Sequence, residues 1–402
     1  MSELEAILDP ATIRVRTRRI YDAAVAGGTA FRVNLDRLPA CVDLVLSVTR
    51  RDYPDGAIPL HGRYGHFRAG GFDRVALLRA DLASVDRLEQ ARSLVDLVVV
   101  SVLLDAGAGD AWAYREPGTG GTYARSEGLA IASWHLFRSG AFSADRVRPF
   151  RVTASGLDAL TEAQIATGFQ VTHDNPLAGF EGRYGLLKRL ASALRASPAM
   201  FGQDDPRPGR LVDALIAESS SSGMVQANEV LRLLLLGLAP MWTPRVTLDG
   251  IGFGDVWPYF GPEPQDWVPF HKLSQWLTYS SIEPIESAGL HVVGVDALTG
   301  LPEYRNGGLF LDTGVLEFRD PSLAQHTFDA GDDVVVEWRA LTVQLLDRVA
   351  DDVRDALGRT ADELPLARVL QGGTWTAGRE IARERRPGGT PPLRVRSDGT
   401  VF

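Results

Sequence analysis

Hydrophobic residues recur at intervals of three or four along several long segments of the chain. In the segment Leu82–Leu104 this spacing predicts a helix with one continuous apolar face. The segment Asp333–Leu357 has the same period, begins with acidic residues and is followed by Gly358, and these features favour the two ends of a helix. The same criteria predict helices over Tyr123–Arg138, Gly185–Ser197, Asn228–Leu238 and Phe270–Ser287, the last kinked or restarted near Pro284.

Strand signals are short and few. They cover Arg245–Leu248, His291–Val295, Leu309–Phe318 and a C-terminal hairpin formed by Leu393–Arg396 and Thr400–Phe402 around the turn residues 397–399. Helices outnumber these strands and do not alternate with them, which argues against a parallel sheet. We therefore expect a mostly α, α-rich α+β fold. It would form one domain over residues 1–402, with residues 140–225 as a candidate smaller helical lobe.

Composition narrows the class of protein. The 402 residues are 45% hydrophobic and 23% charged, as in ordinary globular proteins, and the net charge of -9 argues against a broad nucleic-acid interface. One cysteine, Cys41, excludes an internal disulfide framework. The longest apolar run, Leu231–Pro240, is too short to span a bilayer, and Met1–Ala11 lacks a secretory signal pattern. We expect a cytoplasmic protein that binds neither nucleic acid nor membrane, with its oligomeric state left open.

Common cofactor and catalytic motifs are missing from the sequence. There is no phosphate-binding G-x-x-x-x-G-K-[ST], no G-x-S-x-G and no H-E-x-x-H, and Gly250, Gly252 and Gly254 do not match a dinucleotide fingerprint. We therefore predict no cofactor. His61 and His66 are five residues apart but have no third ligand nearby, so we also predict no metal site.

The segment Gly250–Asp312 combines aromatic residues, glycines and a few charged groups. Asp255 lies in a glycine-aromatic loop after Phe253, and His271 and Lys272 follow a second aromatic stretch. Polar groups on loops beside aromatic rings are typical of a ligand pocket. The alternative is that the aromatic residues are core residues and that Asp255 is a turn residue. The sequence leaves both interpretations open.

A second candidate region extends from Trp112 to Gly128. Here a glycine-rich loop leads into the start of a predicted helix at Tyr123, where free backbone N–H groups can bind an anion. The guanidinium of Arg125 could form two further hydrogen bonds to the same anion. The alternative is an ordinary surface loop in which Thr122 caps the helix. In the helix predicted over Asp333–Leu357, the helical pattern favours a structural charge network as the interpretation of Glu337, Trp338 and Arg339.

Several long strings resemble a known family. They are Ile58–Phe67, Arg125–Ala130, Ser220–Gln226, Trp267–Ser280 and Thr299–Leu309. Over nearly its whole length the chain resembles the uracil-catabolism protein family, formerly a domain of unknown function. Gly62 departs from the family pattern, in which a serine is expected, so no role is assigned to that side chain.

The resemblance implies a place in a pathway in which uracil is ribosylated, its ring is opened and urea is released. A ring-opened nucleotide carries urea on C1′ of ribose, so one step must cut that N–C bond. Gly254-Asp255, Tyr279-Ser280 and the stretch from Glu337 to Arg339 also resemble the queuosine-salvage N-glycosidases, which are similar to helical DNA glycosylases. The resemblance therefore implies an N-glycosyl hydrolase acting on ribosylurea or its 5′-phosphate, a small molecule derived from a nucleoside or nucleotide.

On this reading each candidate side chain has an expected role. Asp255 stabilises the cationic sugar or orients water, and His271 or Glu303 donates a proton to urea. The remaining substrate-binding candidates are Arg125, Lys272 and Arg305 for a 5′-phosphate, Tyr279 and Asn306 for a ribose hydroxyl, and Trp112, Tyr114, Tyr123 and Phe253 for the pocket wall. The alternatives are a metal-dependent amidohydrolase step and a non-catalytic subunit that binds pathway intermediates.

Overall fold

A computed structural model describes residues 2–105, 107–109, 111–219, 222–242, 246–248, 250–261 and 266–396. Most of these residues are helical, which confirms the predicted mostly α fold. The helices are α1 Glu3–Leu8, α2 Pro10–Ala26, α3 Leu38–Asp52, α4 Arg63–Phe67, α5 Arg74–Asp81, α6 Arg87–Leu103, α7 Arg125–Arg138, α8 Ala154–Ala159, α9 Glu162–Gly168, α10 Phe180–Ala196, α11 Pro198–Phe201, α12 Leu211–Glu218, α13 Ala227–Leu238, α14 Lys272–Ser287, α15 Tyr304–Asp312, α16 Asp333–Leu357, α17 Leu366–Val369 and α18 Trp375–Arg385.

The strands are short and pair two by two. They are β1 Phe31–Val33, β2 Ala113–Arg115, β3 Thr122–Ala124, β4 Met224–Gln226, β5 Val246–Leu248, β6 Ile251–Phe253, β7 Val256–Tyr259, β8 Asp266–Pro269, β9 His291–Val293, β10 Leu316–Phe318, β11 Thr327–Phe328 and β12 Arg394–Val395. The pairs β4–β9 and β11–β12 are parallel and the other four are antiparallel. Each pair forms a separate two-stranded sheet.

The six predicted helices are all present, with ends that differ by up to five residues. The helix α14 continues across Pro284 without restarting. The strand predicted over Leu309–Phe318 is wrong for most of its length, because α15 covers Tyr304–Asp312 and only Leu316–Phe318 is a strand. Two adjacent glycines in α15 conceal its helical character in the sequence. In the structure Gly307 allows close packing, since a Cβ there would lie 2.6 Å from Trp338 Cε2.

The predicted C-terminal hairpin is only partly testable. Its first strand is present as Arg394–Val395, but this strand pairs in parallel with Thr327–Phe328. The turn and the second strand, residues 397–402, lie outside the described residues, as does Arg245.

The core positions the ends of several helices around one point. Helix α6 is buried along nearly all of its last ten residues and packs between α14 and α7. Helix α16 packs against α2 and α15, and α15 packs against α18. One core cluster extends from Ile7 to Leu393 and includes Phe142 and Leu190 of the 140–225 region. Within the described residues, no helix combines the length and apolarity required to cross a membrane.

Candidate functional site

A cavity of about 150 Å³ opens where these helix ends meet. We call it the central pocket. Its lining comprises two histidines, three acids, four cations, three aromatic rings and several small or apolar residues. They are His61, His66, Asp105, Gly107, Ala108, Arg125, Ser126, Glu127, Lys272, Leu273, Trp276, Leu301, Glu303, Tyr304, Arg305, Trp375 and Arg379.

Three helices direct their N-termini towards the central pocket. Arg125 begins α7, Lys272 begins α14, and Tyr304 begins α15 directly after the pocket residue Glu303. The N-terminus of a helix carries partial positive charge because its first N–H groups lack partners within the helix. At two of these starts a carboxylate already accepts such N–H groups, Asp255 at α14 and Glu303 at α15.

Two of these helix starts have an unfavourable backbone conformation. Arg125 has φ 54° and His271, immediately before α14, has φ 48°. Side chains other than glycine rarely adopt this left-handed region, and such residues are enriched at functional sites. The strain supports a functional interpretation of the central pocket.

Asp105 is a buried acid of the central pocket with one oxygen that lacks a hydrogen-bond partner among the described residues. Its side chain is 7% exposed, and its Oδ1 atom lies 3.2 Å from Arg63 Nη1 without hydrogen-bonding geometry, so Oδ1 has no hydrogen-bond partner among the described residues. Burial raises the pKa of Asp105, and the opposing charge of Arg63 does not fully offset that effect. An incompletely paired buried carboxylate in a cavity is a recognised feature of acid–base sites.

Glu303 is held more firmly than Asp105. Its carboxylate accepts backbone N–H groups from Arg305 at 2.8 Å and from Asn306 at 2.7 Å, and thereby caps α15. Burial raises the pKa of Glu303, whereas these N–H groups and the charges of Arg305 and Lys272 lower it. Because hydrogen bonds to a carboxylate favour its charged form, Glu303 and Asp105 have different environments within one pocket.

The histidines of the central pocket are neutral. Burial lowers the pKa of His61, whose Nδ1 pairs with Gln371 Oε1 at 3.0 Å, on the π-helical segment Leu370–Thr374 that leads into α18. Burial and the charge of Arg63 hold the pKa of His66 well below its usual value. Nδ1 of His66 accepts from Arg63 Nη1 at 3.3 Å, so Nε2 carries its proton. No group of three or more metal-ligating side chains occurs among the described residues.

Asp255 does not line the central pocket. Its two oxygens accept from Arg339 Nη1 at 2.7 Å and Nη2 at 2.9 Å, from Trp257 Nε1 at 2.8 Å and from the backbone N–H of Lys272 at 2.8 Å. Burial opposes ionisation, but the Arg339 charge and these hydrogen bonds hold the pKa of Asp255 well below its usual range. Asp255 is thus a fully paired carboxylate that anchors the start of α14.

A second, smaller cavity of about 20 Å³ lies next to Asp255 and also contains Phe253 and His271 in its wall. The imidazole Nε2 of His271 lies 2.9 Å from the carbonyl oxygen of Ile7, so this ring is tied to the N-terminal helix α1. Leu273 lines both cavities and separates Asp255 from the central pocket.

Three of the predicted pocket-wall residues lie outside both cavities. Trp112 is buried and donates its indole N–H to Phe169 O at 2.9 Å. Tyr114 and Tyr123 face each other across the pair β2–β3, and Arg74 lies over the Tyr123 ring at 5.5 Å. These residues build the hairpin that precedes Arg125.

The two predicted ribose-binding residues are also engaged within the protein. The hydroxyl of Tyr279 donates to Thr299 O at 2.9 Å. Asn306 donates its amide to Leu301 O at 3.1 Å and accepts from Thr374 Oγ1 at 2.9 Å. Both side chains stabilise the loop that carries Glu303.

Sequence reasoning assigned no role to several central-pocket residues. They are Asp105, Glu127, Trp276, Trp375 and Arg379, which belong to four separate segments because the last two share α18. Trp276 and Glu127 lie inside the family strings, which was a usable signal. Asp105 lies in the loop directly after α6, whose last ten residues are all buried, and loop residues often carry function.

The chain is similar to known proteins over nearly its whole length. The family described as "Protein of unknown function (DUF1688)" matches residues 6–402. "Uracil catabolism protein 4" of Lachancea kluyveri is 39% identical, and the alignment covers 97% of each chain. "Protein urg3" of Schizosaccharomyces pombe is 38% identical over 97% of this chain and 96% of the relative.

Proposed function

This chain belongs to the DUF1688 family, and from that membership and the name of its Lachancea kluyveri relative we propose that it is a cytoplasmic enzyme of uracil catabolism. Its reaction is hydrolysis of the N-glycosidic bond of a ring-opened uridine derivative, ribosylurea or its 5′-phosphate, with release of urea. The observation that carries the proposal is the central pocket, where two acids in different environments, Asp105 and Glu303, share one cavity with cations and aromatic rings.

The reaction requires only water and acid–base groups. The bond between C1′ of ribose and the urea nitrogen breaks, and its electron pair stays on nitrogen. The oxygen of water bonds to C1′ and keeps one of its protons as the new hydroxyl group. Its other proton passes to a carboxylate while an acid gives a proton to the urea nitrogen, so the net transfer is one proton from water to nitrogen. Positive charge builds on the sugar ring in the transition state, so a carboxylate close to C1′ lowers the barrier.

The two acids divide these tasks according to their surroundings. Burial raises the pKa of Glu303, but this carboxyl group accepts two backbone N–H groups and lies near Lys272, which favour its charged form, so we assign it to stabilise the cationic sugar and orient water. Asp105 has one oxygen without a hydrogen bond and a raised pKa, so we assign it to supply the proton to the urea nitrogen. Carboxyl groups in different environments commonly serve as such acid and base pairs.

Asp255 acts on the central pocket through Lys272. Its carboxylate fixes the backbone N–H of Lys272 and the guanidinium of Arg339 at the same time. Asp255 is therefore a positioning residue in this proposal. In this proposal the carboxylate beside C1′ is Glu303, in place of Asp255.

A urea-release assay on purified full-length protein tests the proposal. We expect urea and a reducing sugar in equal amounts from ribosylurea or its 5′-phosphate. Ammonia formed in place of urea, or activity that chelator removes and zinc restores, would favour the amidohydrolase alternative. Tight substrate binding without any turnover would favour a non-catalytic binding subunit.

Asp105→Asn provides a specific variant for this assay. The variant removes the acid that pairs with the buried Arg63, so some loss of stability is expected, although Arg63 keeps its hydrogen bonds to Ser101 and to Ser126 O. The comparison of kcat is therefore made on protein whose fold has been checked by circular dichroism. The expected kcat is at least about 10²-fold lower, since loss of a general acid typically costs 10²–10⁴-fold. The control Asp355→Asn removes an exposed acid from α16 and should leave kcat unchanged.

A further inference from the structure

Arg305 is a buried cation that forms no ion pair with any side chain in the described part of the chain. It is 7% exposed, and its guanidinium lies over the rings of Tyr304 at 4.9 Å and Trp375 at 5.0 Å. Among the described residues no side chain forms an ion pair with this guanidinium and none accepts a hydrogen bond from it. Burying a charge in this way is costly unless an anion pairs with it. Because Arg305 lines the central pocket, an anionic group of a ligand in the pocket can reach its guanidinium.

Arg379 contacts the same indole ring. Its guanidinium lies 5.4 Å from the ring centre of Trp375, one helical turn earlier in α18, and 3.6 Å from Glu127. Its Nε atom is buried and has no hydrogen-bond partner among the described residues. Burial lowers the pKa of Arg379, Glu127 opposes this effect, and the charges of Arg305 and Arg125 lower the pKa further. These arginines are therefore close enough to repel one another.

The two arginines share few negative partners. Among the described residues that line the central pocket, Glu127 lies within ion-pair distance of Arg379, and no side chain forms an ion pair with Arg305. A ligand that brings two negative charges to the arginines would remove their mutual repulsion.

We infer that Arg305 and Arg379, with Arg125 beside them, bind a phosphate dianion, so that the substrate is the 5′-phosphate of ribosylurea and the product is ribose 5-phosphate. The sugar in this inference rests on the proposed function, whereas the phosphate site rests on the arginines themselves. Each planar guanidinium group can donate two parallel hydrogen bonds to a pair of phosphate oxygens, and stacking on an aromatic ring holds each guanidinium in place. The upstream reaction must then deliver a phosphorylated ribosyl group.

Calorimetric titration of the full-length protein tests the inference. The ligands are ribose 5-phosphate, ribose, and 3-ureidopropionate, a ring-opened compound with a carboxylate and no phosphate. We expect ribose 5-phosphate to bind at least about tenfold more tightly than either of the others, since charge-assisted hydrogen bonds contribute about that factor or more. Equal affinity for ribose and ribose 5-phosphate would overturn the inference, and so would tighter binding of 3-ureidopropionate.

Variants separate the phosphate site from the rest of the pocket. Arg379→Gln and Arg305→Gln should each weaken ribose 5-phosphate about 10- to 100-fold and leave ribose unaffected. Arg379 is 24% exposed, so its variant keeps the test valid if Arg305→Gln unfolds. The control Arg385→Gln changes an exposed arginine of the same helix and should have no effect.

The outcomes for the two proposals are distinguishable. Arginine-dependent binding of ribose 5-phosphate without any release of urea would contradict the proposed function and support the phosphate site. Urea release at equal kcat/KM from ribosylurea and its phosphate, in wild type and in Arg379→Gln, would contradict the phosphate site and support the proposed function.

Discussion

Replacing Asp255 with asparagine distinguishes a positioning role from a catalytic one. The substitution keeps the size of the side chain but removes the charge that pairs with Arg339, which is 1% exposed in its side chain. One of the two asparagine head atoms is an NH₂ group, which would face the donors of Arg339, Trp257 or Lys272. The variant thus removes the acid that forms an ion pair with this buried guanidinium.

The expected loss of stability is large. Breaking a buried ion pair by removing one partner costs about 3–5 kcal/mol. Unfolding entropies of about 2.1 cal/mol/K per residue give roughly 0.8 kcal/mol per kelvin for 402 residues. A loss of about 4 kcal/mol therefore corresponds to a fall in Tm of about 5 °C. Differential scanning calorimetry measures this shift directly.

Two further variants make the interpretation specific. Asp329→Asn breaks an exposed pair with Arg396, of which both partners are more than 60% exposed, and should lower Tm by no more than about 1 °C. The double variant Asp255→Asn/Arg339→Met also removes the buried positive charge of Arg339, so part of the stability should return. An unchanged Tm for Asp255→Asn together with a fall in kcat of about 10²-fold would refute this reasoning and restore Asp255 as the carboxylate beside the sugar.

Two other buried groups give further predictions. Burial raises the pKa of Glu337 to about 7 from its ordinary value of 4.5, against hydrogen bonds from Ala30 N and Tyr259 Oη. The folded state binds the extra proton, so stability is highest below about pH 4.5 for this group and falls until about pH 7. Glu337→Gln imitates the protonated form and should flatten that profile in denaturation curves, with a gain of about 3 kcal/mol at pH 8; an unaltered slope would contradict the assignment. Burial also raises the pKa of Cys41 to about 12, so iodoacetamide should label this thiol only after unfolding, and labelling of the native protein within minutes at pH 8 would contradict its burial.

The sequence predicted the helices better than the short strands. Asp333–Leu357 matches α16 at both ends because its apolar period, acidic start and terminal glycine all agree. Helix α15 was missed because Gly307 and Gly308 lower its helix propensity. Tertiary packing explains Gly307, where a Cβ would lie 2.6 Å from Trp338 Cε2, and a Cβ at Gly308 would lie 3.1 Å from Pro392 Cδ.

The candidate site was predicted in part. Glu303, Lys272, Arg125 and Arg305 lie together in the central pocket, although the chain separates Arg125 from the others by well over a hundred residues. Local sequence cannot distinguish a carboxylate that faces a cavity from one that forms an ion pair with a buried arginine. That distinction depends on which distant helix supplies the partner, as Arg339 does for Asp255.

The central claim is that Glu303 acts on the substrate within the central pocket. Single-turnover release of urea by Glu303→Gln tests it most directly, because glutamine keeps a carbonyl acceptor for the start of α15 while it removes the charge. The control Glu363→Gln alters an exposed carboxylate that accepts a backbone N–H in the same manner, from Thr360 at 2.8 Å. We predict that the rate falls at least about 10²-fold in folded Glu303→Gln and is unchanged in the control. A rate close to that of the wild type in folded Glu303→Gln would contradict the account.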